Sequence, residues 1–358
     1  MLTESVSGGP RTQTLHDAKV EAIARQLRQR KGKGPASFKK KSPPHSVPKR
    51  FDARRRDEKV DLGDLDAILD IDPVGMTCTA EPAATFDAVV RATLPHGLVP
   101  FIVPEHKTIT LGGAIAGCSI ESMSFRQGGF HDTCLEYEVI TAKGDVLRCS
   151  PTSEPLLFQM MHGSFGTLGV LSKVRFKLTR CAPYVRVTNE THSSLESFQQ
   201  GIWHHFQDPG ADYLDGQIFS PTKHVLCVGH FVDRAPYVNR YEWLTAYCET
   251  IPRRSEDYLT TYDYLFRYNR GVTHARPRNL LARALFGKLI HSDSVLRTAN
   301  RFTQLLPKKD PPVIVDVFVP FSRSADFMDW YHREMRHYPV WCVPFRRTRD
   351  YEWLTPQW

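Results

Sequence analysis

Two glycine-rich stretches hold the residue types best suited to chemistry in this chain. The first is TITLGGAIAGCSIESMSFRQGGF, residues 108–130, with glycines at 112, 113, 117, 128 and 129. The second is GSFGTLGV, residues 163–170. Glycine lets a backbone approach a ligand closely and turn N–H groups toward an anion such as phosphate. Close-packed turns are the other reading, and composition alone leaves both open. Neither stretch is a GxGxxG fingerprint, a GxxxxGK[ST] loop or a GxSxG elbow. Classical nicotinamide folds, nucleoside-triphosphate loops and serine-hydrolase elbows therefore lose weight.

Two further groups of residues are candidates for reaction chemistry. Glu121 sits in the first stretch and is either a satisfied polar residue at a turn or a proton-handling group beside a ligand. Tyr262, Tyr264, Arg267, Tyr268 and Arg270 crowd the segment YDYLFRYNRG. Tyr264 and Tyr268 share a face if the segment is helical; 262, 264 and 268 share one if it is a strand. Either geometry presents phenols to a pocket or to an aromatic-lined domain interface. The pair His204–His205 lacks a cysteine or carboxylate at ligand spacing, so no metal site is expected.

The elements that must position these residues follow from periodicity. The helical spacing of 15, 20, 23 and 27 predicts a helix over Leu15–Arg30, after a disordered stretch at 1–14. The proline-rich run ASFKKKSPPHSVPKR predicts a loop or extended arm. Val60–Asp72 is expected to begin as a strand and continue as a compact turn, and MTCTAEP to be a strand. Thr85 is a plausible cap for a helix ending at Leu94, and Glu138–Cys149 reads as a hairpin with a Lys-Gly-Asp turn. Ser153 is a candidate cap for the helix in SEPLLFQMM, and residues 170–178 alternate like a strand with one wet face. Beyond Arg180 the texture changes. Strands are expected at HVLCVGHFV, VIVDVFVPF and HYPVWCVPF, and helices at NLLARALFGKLI and, capped by Ser324, at SADFMDWYHREM. The expected organisation is α+β: a first domain over 15–180 and an α+β second domain over 181–358.

Composition sets outer bounds. The 358 residues are 41% hydrophobic and 24% charged, as expected of a globular protein, and carry a net charge of +8. Arg25–Lys59 holds 14 basic residues against three acidic ones, so the remainder is slightly acidic. This basic arm is either a solvated surface or a phosphate-binding element. Nucleic-acid binding is not expected, because no recognition module accompanies the charge. The eight cysteines include no CxxC pair and read as small buried hydrophobes of a reducing compartment. No signal-like or membrane-spanning run is present, so a cytoplasmic location is expected, with peripheral membrane contact left open. Oligomeric state is not legible.

The segments VPEHKTITLGGAIAGCSIESMSFRQGGFHDTCLEYEVITAKGDVLRCSP and LLFQMMHGSFGTLGVLSKVRFKL together resemble the FAD-binding domain of the vanillyl-alcohol-oxidase (PCMH-type) superfamily. YDYLFRYNRG and FVPFSRSADFMDWYHREMRHYPVWCVPFR extend the likeness to the Δ24-sterol reductase branch (seladin/diminuto-like proteins) and its bacterial relatives, over roughly 16–350. The resemblance implies a two-subdomain FAD-binding domain followed by a substrate (cap) domain, and a family C-terminal segment that this chain lacks. It implies non-covalent FAD, its pyrophosphate between an early loop within 37–48 that offers Lys39, Lys40, Lys41, Ser42 and His45 and a later loop with Thr108, Thr110, Leu111, Gly112, Gly113 and Gly117. Glu121, Ser122 and Ser124 would then lie near the isoalloxazine, and Gly166, Thr167, Gly169 and Val170 would continue the flavin contact. The early loop departs from the Arg/Gly-rich turn of related oxidases, and His45 is read as an ordinary loop histidine. The activity implied is hydride transfer between flavin and a carbon of a small hydrophobic substrate. If the likeness extends to chemistry, it is alkene reduction with NADPH as electron donor, and an acid such as Tyr268 supplies the proton. An alcohol or sugar oxidase/dehydrogenase and a non-catalytic flavin-fold binding protein are the alternatives.

Overall fold

The structure is a computed structural model that describes residues 6–7, 10–30, 34–42, 56–241, 245–269, 298, 301–302 and 316–351. The first part of the chain runs β1 (Val6–Ser7), α1 (Pro10–Arg28), β2 (Ala36–Lys39), β3 (Glu58–Asp61), β4 (Ile68–Asp72), β5 (Thr77–Ala80), α2 (Phe86–Thr93) and β6 (Leu98–Pro100). It continues with α3 (Leu111–Ala116), α4 (Ser124–Gln127), β7 (Cys134–Ile140), β8 (Val146–Cys149), α5 (Pro155–Met160) and β9 (Val170–Arg180). Seven of these strands form one sheet in the order β1-β4-β5-β9-β7-β8, with β6 also on β9, while β2 and β3 pair in parallel beside it. In β9, Val174, Phe176 and Leu178 are buried while Arg175 and Lys177 are exposed, the alternation expected of a sheet with one wet face.

Helix α1 buries Val20, Ile23, Ala24 and Leu27, one stripe at helical spacing, against Val60, Leu65, Ile140 and Val170. A buried ionic node fixes its rotation. The His16 ring lies 2.9 Å from Glu81 Oε1 and 3.0 Å from Glu138 Oε1. Lys19 reaches Glu81 at 2.8 Å and Lys173 reaches Glu138 at 3.2 Å. Burial alone would lower the His16 pKa, but the hydrogen bonds to Glu138 and Glu81 prevail and raise it to about 8.

The second part runs β10 (Tyr184–His192), α6 (Leu195–Gln207), β11 (Tyr213–Ser220), β12 (Lys223–Val232), α7 (Tyr247–Thr250), β13 (Glu256–Thr260), α8 (Thr261–Leu265), α9 (Ser324–Glu334) and β14 (Val340–Cys342). Its antiparallel sheet has the order β13-β10-β12-β11-β14 and is covered on both faces. Leu214, Ile218, Leu226 and Val228 point toward α6, where they pack with Phe198 and Ile202. Gly216 lies on that same face because an added Cβ would stand 2.6 Å from Phe198 Cζ. The intervening positions Tyr213, Val225 and Cys227 belong to the large core shared with the first sheet. The period of two therefore also turns Asp215 and Gln217 toward the first sheet.

Several expectations need correction. Helix α1 begins at Pro10, inside the stretch expected to be disordered, and Val6–Ser7 pair with β4. Ile68–Asp72 is a strand rather than a turn, because it alternates buried and half-buried and pairs with β5. Ser153 does not cap α5; its backbone pairs with Ser150, and Glu154 holds the cap position in the left-handed region. Ser324 is the first residue of α9 rather than its cap, and its hydroxyl donates to the Phe321 carbonyl. Residues 316–320 are irregular, so the strand expected at 313–321 does not cover them, and 313–315 lie outside the described residues. The helix expected at NLLARALFGKLI also lies outside them. All eight cysteines are free. Among the described residues no helix is long and apolar enough to cross a membrane.

Candidate functional site

The first glycine stretch folds into the short helix α3, with Thr110 in extended conformation at its cap. The Leu111 and Gly112 N–H groups donate to the carbonyls of Ala84 and Pro82, at 3.0 and 2.8 Å. The Gly113 N–H reaches Thr110 Oγ1 at 3.3 Å. These amides therefore already have partners within the chain. The group that the fold adds for an anion is the ammonium of Lys40, whose Nζ donates to the same Thr110 Oγ1 at 3.4 Å. Lys40 is half-buried, has no carboxylate partner among the described residues, and burial lowers its pKa. Such an amine is best satisfied by a bound anion.

The two glycines differ in what they permit. A Cβ on Gly112 would meet Pro82 Cβ at 2.9 Å, so this glycine serves packing. A Cβ on Gly113 would face Thr110 Oγ1 at 3.1 Å and Lys40 Nζ at 3.8 Å, the space a ligand oxygen would need. Gly117 closes the helix by donating to Gly113 O at 2.9 Å.

The second glycine stretch comes to the same place. Gly163 and Phe165 donate their N–H groups to the carbonyls of Ile115 and Ala116, at 3.1 and 3.0 Å. Gly166 has φ +76, and a Cβ there would lie 2.5 Å from the Phe38 ring. The exposed Thr167 donates its hydroxyl to Ser164 O at 2.7 Å, Gly169 packs on Val139, and Val170 is buried at the start of β9. The early loop follows β2, with Phe38 against Gly166 and Lys40 reaching Thr110 just beyond the strand. Lys39 pairs with Asp61 at 2.8 Å, and Lys41 pairs with Asp64 and Asp66 at 3.1 and 3.0 Å. Lys41 and Ser42 line a cavity of about 280 Å³ with Gly63, Asp66, Thr85 and Thr108. Ser42 Oγ is buried and has no hydrogen-bond partner among the described residues. His45 lies outside them. Sequence reasoning offered Lys39, Lys40 and Lys41 together and kept Lys41 among the site residues; the fold directs Lys40 at Thr110 and ties Lys39 and Lys41 to carboxylates.

Beyond α3 the chain turns at Glu121–Ser124, closed by a bond from the Glu121 N–H to Ser124 Oγ at 2.9 Å. Here the first part of the chain meets the second. Glu121 is 3% exposed and Asp215 fully buried, and one nitrogen of Arg267, Nη2, lies 2.9 Å from Glu121 Oε1 and 3.2 Å from Asp215 Oδ1. The same nitrogen reaches Ser122 Oγ at 3.3 Å. The guanidinium is sandwiched by Tyr264 and Tyr268, at 4.2 and 4.6 Å from their ring centres. Tyr268 donates its O–H to Asp215 Oδ2 at 2.9 Å, and Trp341 Nε1 donates to the same oxygen at 2.8 Å. Gln217 donates to the Tyr268 oxygen at 3.1 Å, and Tyr264 O–H lies 3.5 Å from Ser122 Oγ.

Burial, helped by the charges of Asp215 and Glu105, raises the Glu121 pKa to about 8 against the opposing pull of Arg267. Burial likewise holds the Tyr268 phenol well above its ordinary value. Helix α8 ends at Leu265, so Tyr264 and Tyr268 come together on Arg267 through the following turn and not as neighbours on one helix face. Tyr262 is turned away, to Asp87 and Arg91 of α2. Arg270 lies outside the described residues. Asp215, Gln217 and Trp341 were not foreseen, although alternation in YLDGQIFS puts two polar residues on one face of a buried strand.

A family described as FAD binding domain matches residues 45–150. The chain is 28% identical over 322 residues to Δ24-sterol reductase of Arabidopsis thaliana, covering 82% of this chain and 57% of that one. It is 26% identical over 359 residues to the Homo sapiens Δ24-sterol reductase, covering 95% and 69%. A shorter match, 33% over 134 residues, is to cytokinin dehydrogenase 6 of Oryza sativa subsp. japonica, covering 36% and 25%. The chain thus spans little more than half the length of the first of these relatives and about two thirds of the second. Over residues 45–150 it thus carries a PCMH-type FAD-binding domain, homologous to that of Δ24-sterol reductase and related oxidoreductases.

Proposed function

We propose that the chain binds FAD non-covalently and moves a hydride to or from a carbon of a small hydrophobic substrate, in the direction of alkene reduction with NADPH as electron donor. The observation that carries the cofactor assignment is Lys40, a half-buried cation with no carboxylate beside it, directed at Thr110 and Gly113. Lys40, Ser42, Thr110 and Gly113 would hold the diphosphate, with the 163–170 turn packed beside them. When bound, FAD supplies the two-electron chemistry that no side chain here could provide.

The chain's own residues supply the proton and the surroundings. Glu121 is the buried acid nearest in sequence to the cradle, and Arg267 holds its Oε1. Tyr213, Tyr247, Tyr264, Tyr268 and Trp341 wall this polar cluster with aromatic surface, which excludes water and suits an apolar substrate. Oxidation of an alcohol is the second reading. It is favoured by Gln217 Oε1 and Tyr247 O–H, both buried and without hydrogen-bond partners among the described residues.

Anaerobic titration of the purified protein tests both. Bound flavin absorbance that is bleached by NADPH and restored by an apolar alkene supports the proposal. Bleaching by an alcohol and not by NADPH supports the second reading. A colourless protein that does not take up added FAD overturns both.

A further inference from the structure

We propose that Asp215 is a positioning residue which, acting through Arg267, keeps Glu121 protonated, so that Glu121 rather than Tyr268 is the acid of the site. The inference rests on the function proposed above. Its basis is a charge count inside a buried cluster. Two carboxylates face one cation, and both contact the same guanidinium nitrogen, at 2.9 and 3.2 Å. Glu105 adds a third negative charge within range of Glu121, and Tyr264 adds a neutral phenol. Among the described residues no second cation faces Glu121. Burying two carboxylate charges against one guanidinium is far costlier than burying one, so one carboxylate takes up a proton.

The hydrogen bonds decide which one. Asp215 receives three donors: Arg267 on Oδ1, and Tyr268 O–H and Trp341 N–H on Oδ2. Glu121 Oε1 receives Arg267 and, at 3.3 Å, the Ser122 hydroxyl, while its Oε2 has no partner among the described residues. Donors stabilise the ionised form, so Asp215 keeps the charge and Glu121 Oε2 keeps the proton. Tyr268 is a poor alternative, because its O–H is already given to Asp215. The step assigned to Glu121 is proton transfer alone. Its O–H bond breaks as a C–H bond forms at the carbon next to the one that takes the hydride. Arg267 then holds the carboxylate until solvent returns a proton.

Infrared spectroscopy of the purified protein, with the wild-type spectrum differenced against Glu121→Gln, tests this without reference to turnover. The expected result is a protonated-carboxyl band at neutral pH that is lost in Glu121→Gln. In Asp215→Asn the single cation faces a single carboxylate, so the titration midpoint of that band falls by a unit or more, a tenfold change in the protonation equilibrium. Trp341→Phe, a milder change, removes one donor from Asp215 and moves the midpoint the same way by less. A role for Asp215 in stability alone would leave the midpoint in place. That outcome, or a Glu121 that is ionised at neutral pH, overturns the proposal. Absence of flavin turnover with the band and its shift intact would reject the proposed function and leave the protonation assignment standing.

Discussion

Arg267 and Glu121 meet at 2.9 Å where the second sheet packs on the glycine-rich segment of the first domain, and both side chains are almost fully buried. The two residues come from distant parts of the chain, and Asp215 joins them from the middle of the second sheet. Removing the cation leaves buried negative charge without compensation. Arg267→Met is therefore expected to lower stability by on the order of 3 kcal/mol, measured by urea denaturation. Arg267→Lys should recover only part of that loss, because an ammonium cannot keep the planar stacking on Tyr264 and Tyr268. The double variant Arg267→Met/Asp215→Asn should cost less than the sum of the single changes. Full additivity would show that the three groups are not one network.

The cradle makes a paired prediction about neighbouring lysines. Lys40 contacts Thr110 beside Gly113, whereas Lys41 is held by Asp64 and Asp66. Lys40→Ala should weaken FAD binding roughly ten- to a hundredfold, the worth of a charge-assisted hydrogen bond. Lys41→Ala should change it by no more than about twofold, since exposed pairs contribute little. Fluorescence titration of the apoprotein with FAD measures both. Equal effects from the two variants would remove the reason for separating them.

The adjacent glycines should separate in the same way. Gly113→Val places methyl groups in the space before Lys40 and is expected to abolish FAD retention while the protein still folds. Gly112→Val drives a Cβ into Pro82, which stands 2.9 Å away, and is expected to lower stability whether or not flavin is added. Thermal melts with and without FAD distinguish the two. Loss of the FAD-dependent shift alone is expected for Gly113→Val, and a lower melt in both states for Gly112→Val.

What was legible in the sequence follows from how local each signal is. Thr85 caps α2 as its spacing suggests, and the 138–149 hairpin and β9 follow from period two and a Lys-Gly-Asp turn. The glycines at 112 and 113 were visible as a group, but their different duties were not, because these depend on Pro82 and Lys40 from other elements. Glu121, Arg267 and Tyr268 stood out by residue type. Asp215 did not, since a lone aspartate in a strand is ordinary until its partners are known. Ser153 and Ser324 misled because a serine before an apolar run marks a cap only when the backbone geometry agrees.

The last prediction concerns pH. His16 is fully buried between Glu81 and Glu138, and its pKa in the fold, about 8, lies above the ordinary value of 6.5. A raised value means that the folded state holds the proton more tightly than the unfolded one. The resulting stability, on the order of 2 kcal/mol, is fully present below about pH 6.5 and is lost as pH rises through about 8. Glu138 acts in the opposite sense. Its carboxyl is buried, yet its bonds to His16, Lys173 and Ser172 bring the pKa down to about 2. Its contribution is present above about pH 4.5 and is lost as pH falls toward 2. Stability should therefore decline on the alkaline side of neutrality, and α1, which carries His16, should lose hydrogen-exchange protection first. In His16→Gln the amide can keep one hydrogen bond but cannot titrate, so urea midpoints measured across the slightly alkaline range should become flat. An alkaline decline that is unchanged in His16→Gln would place its origin at another group.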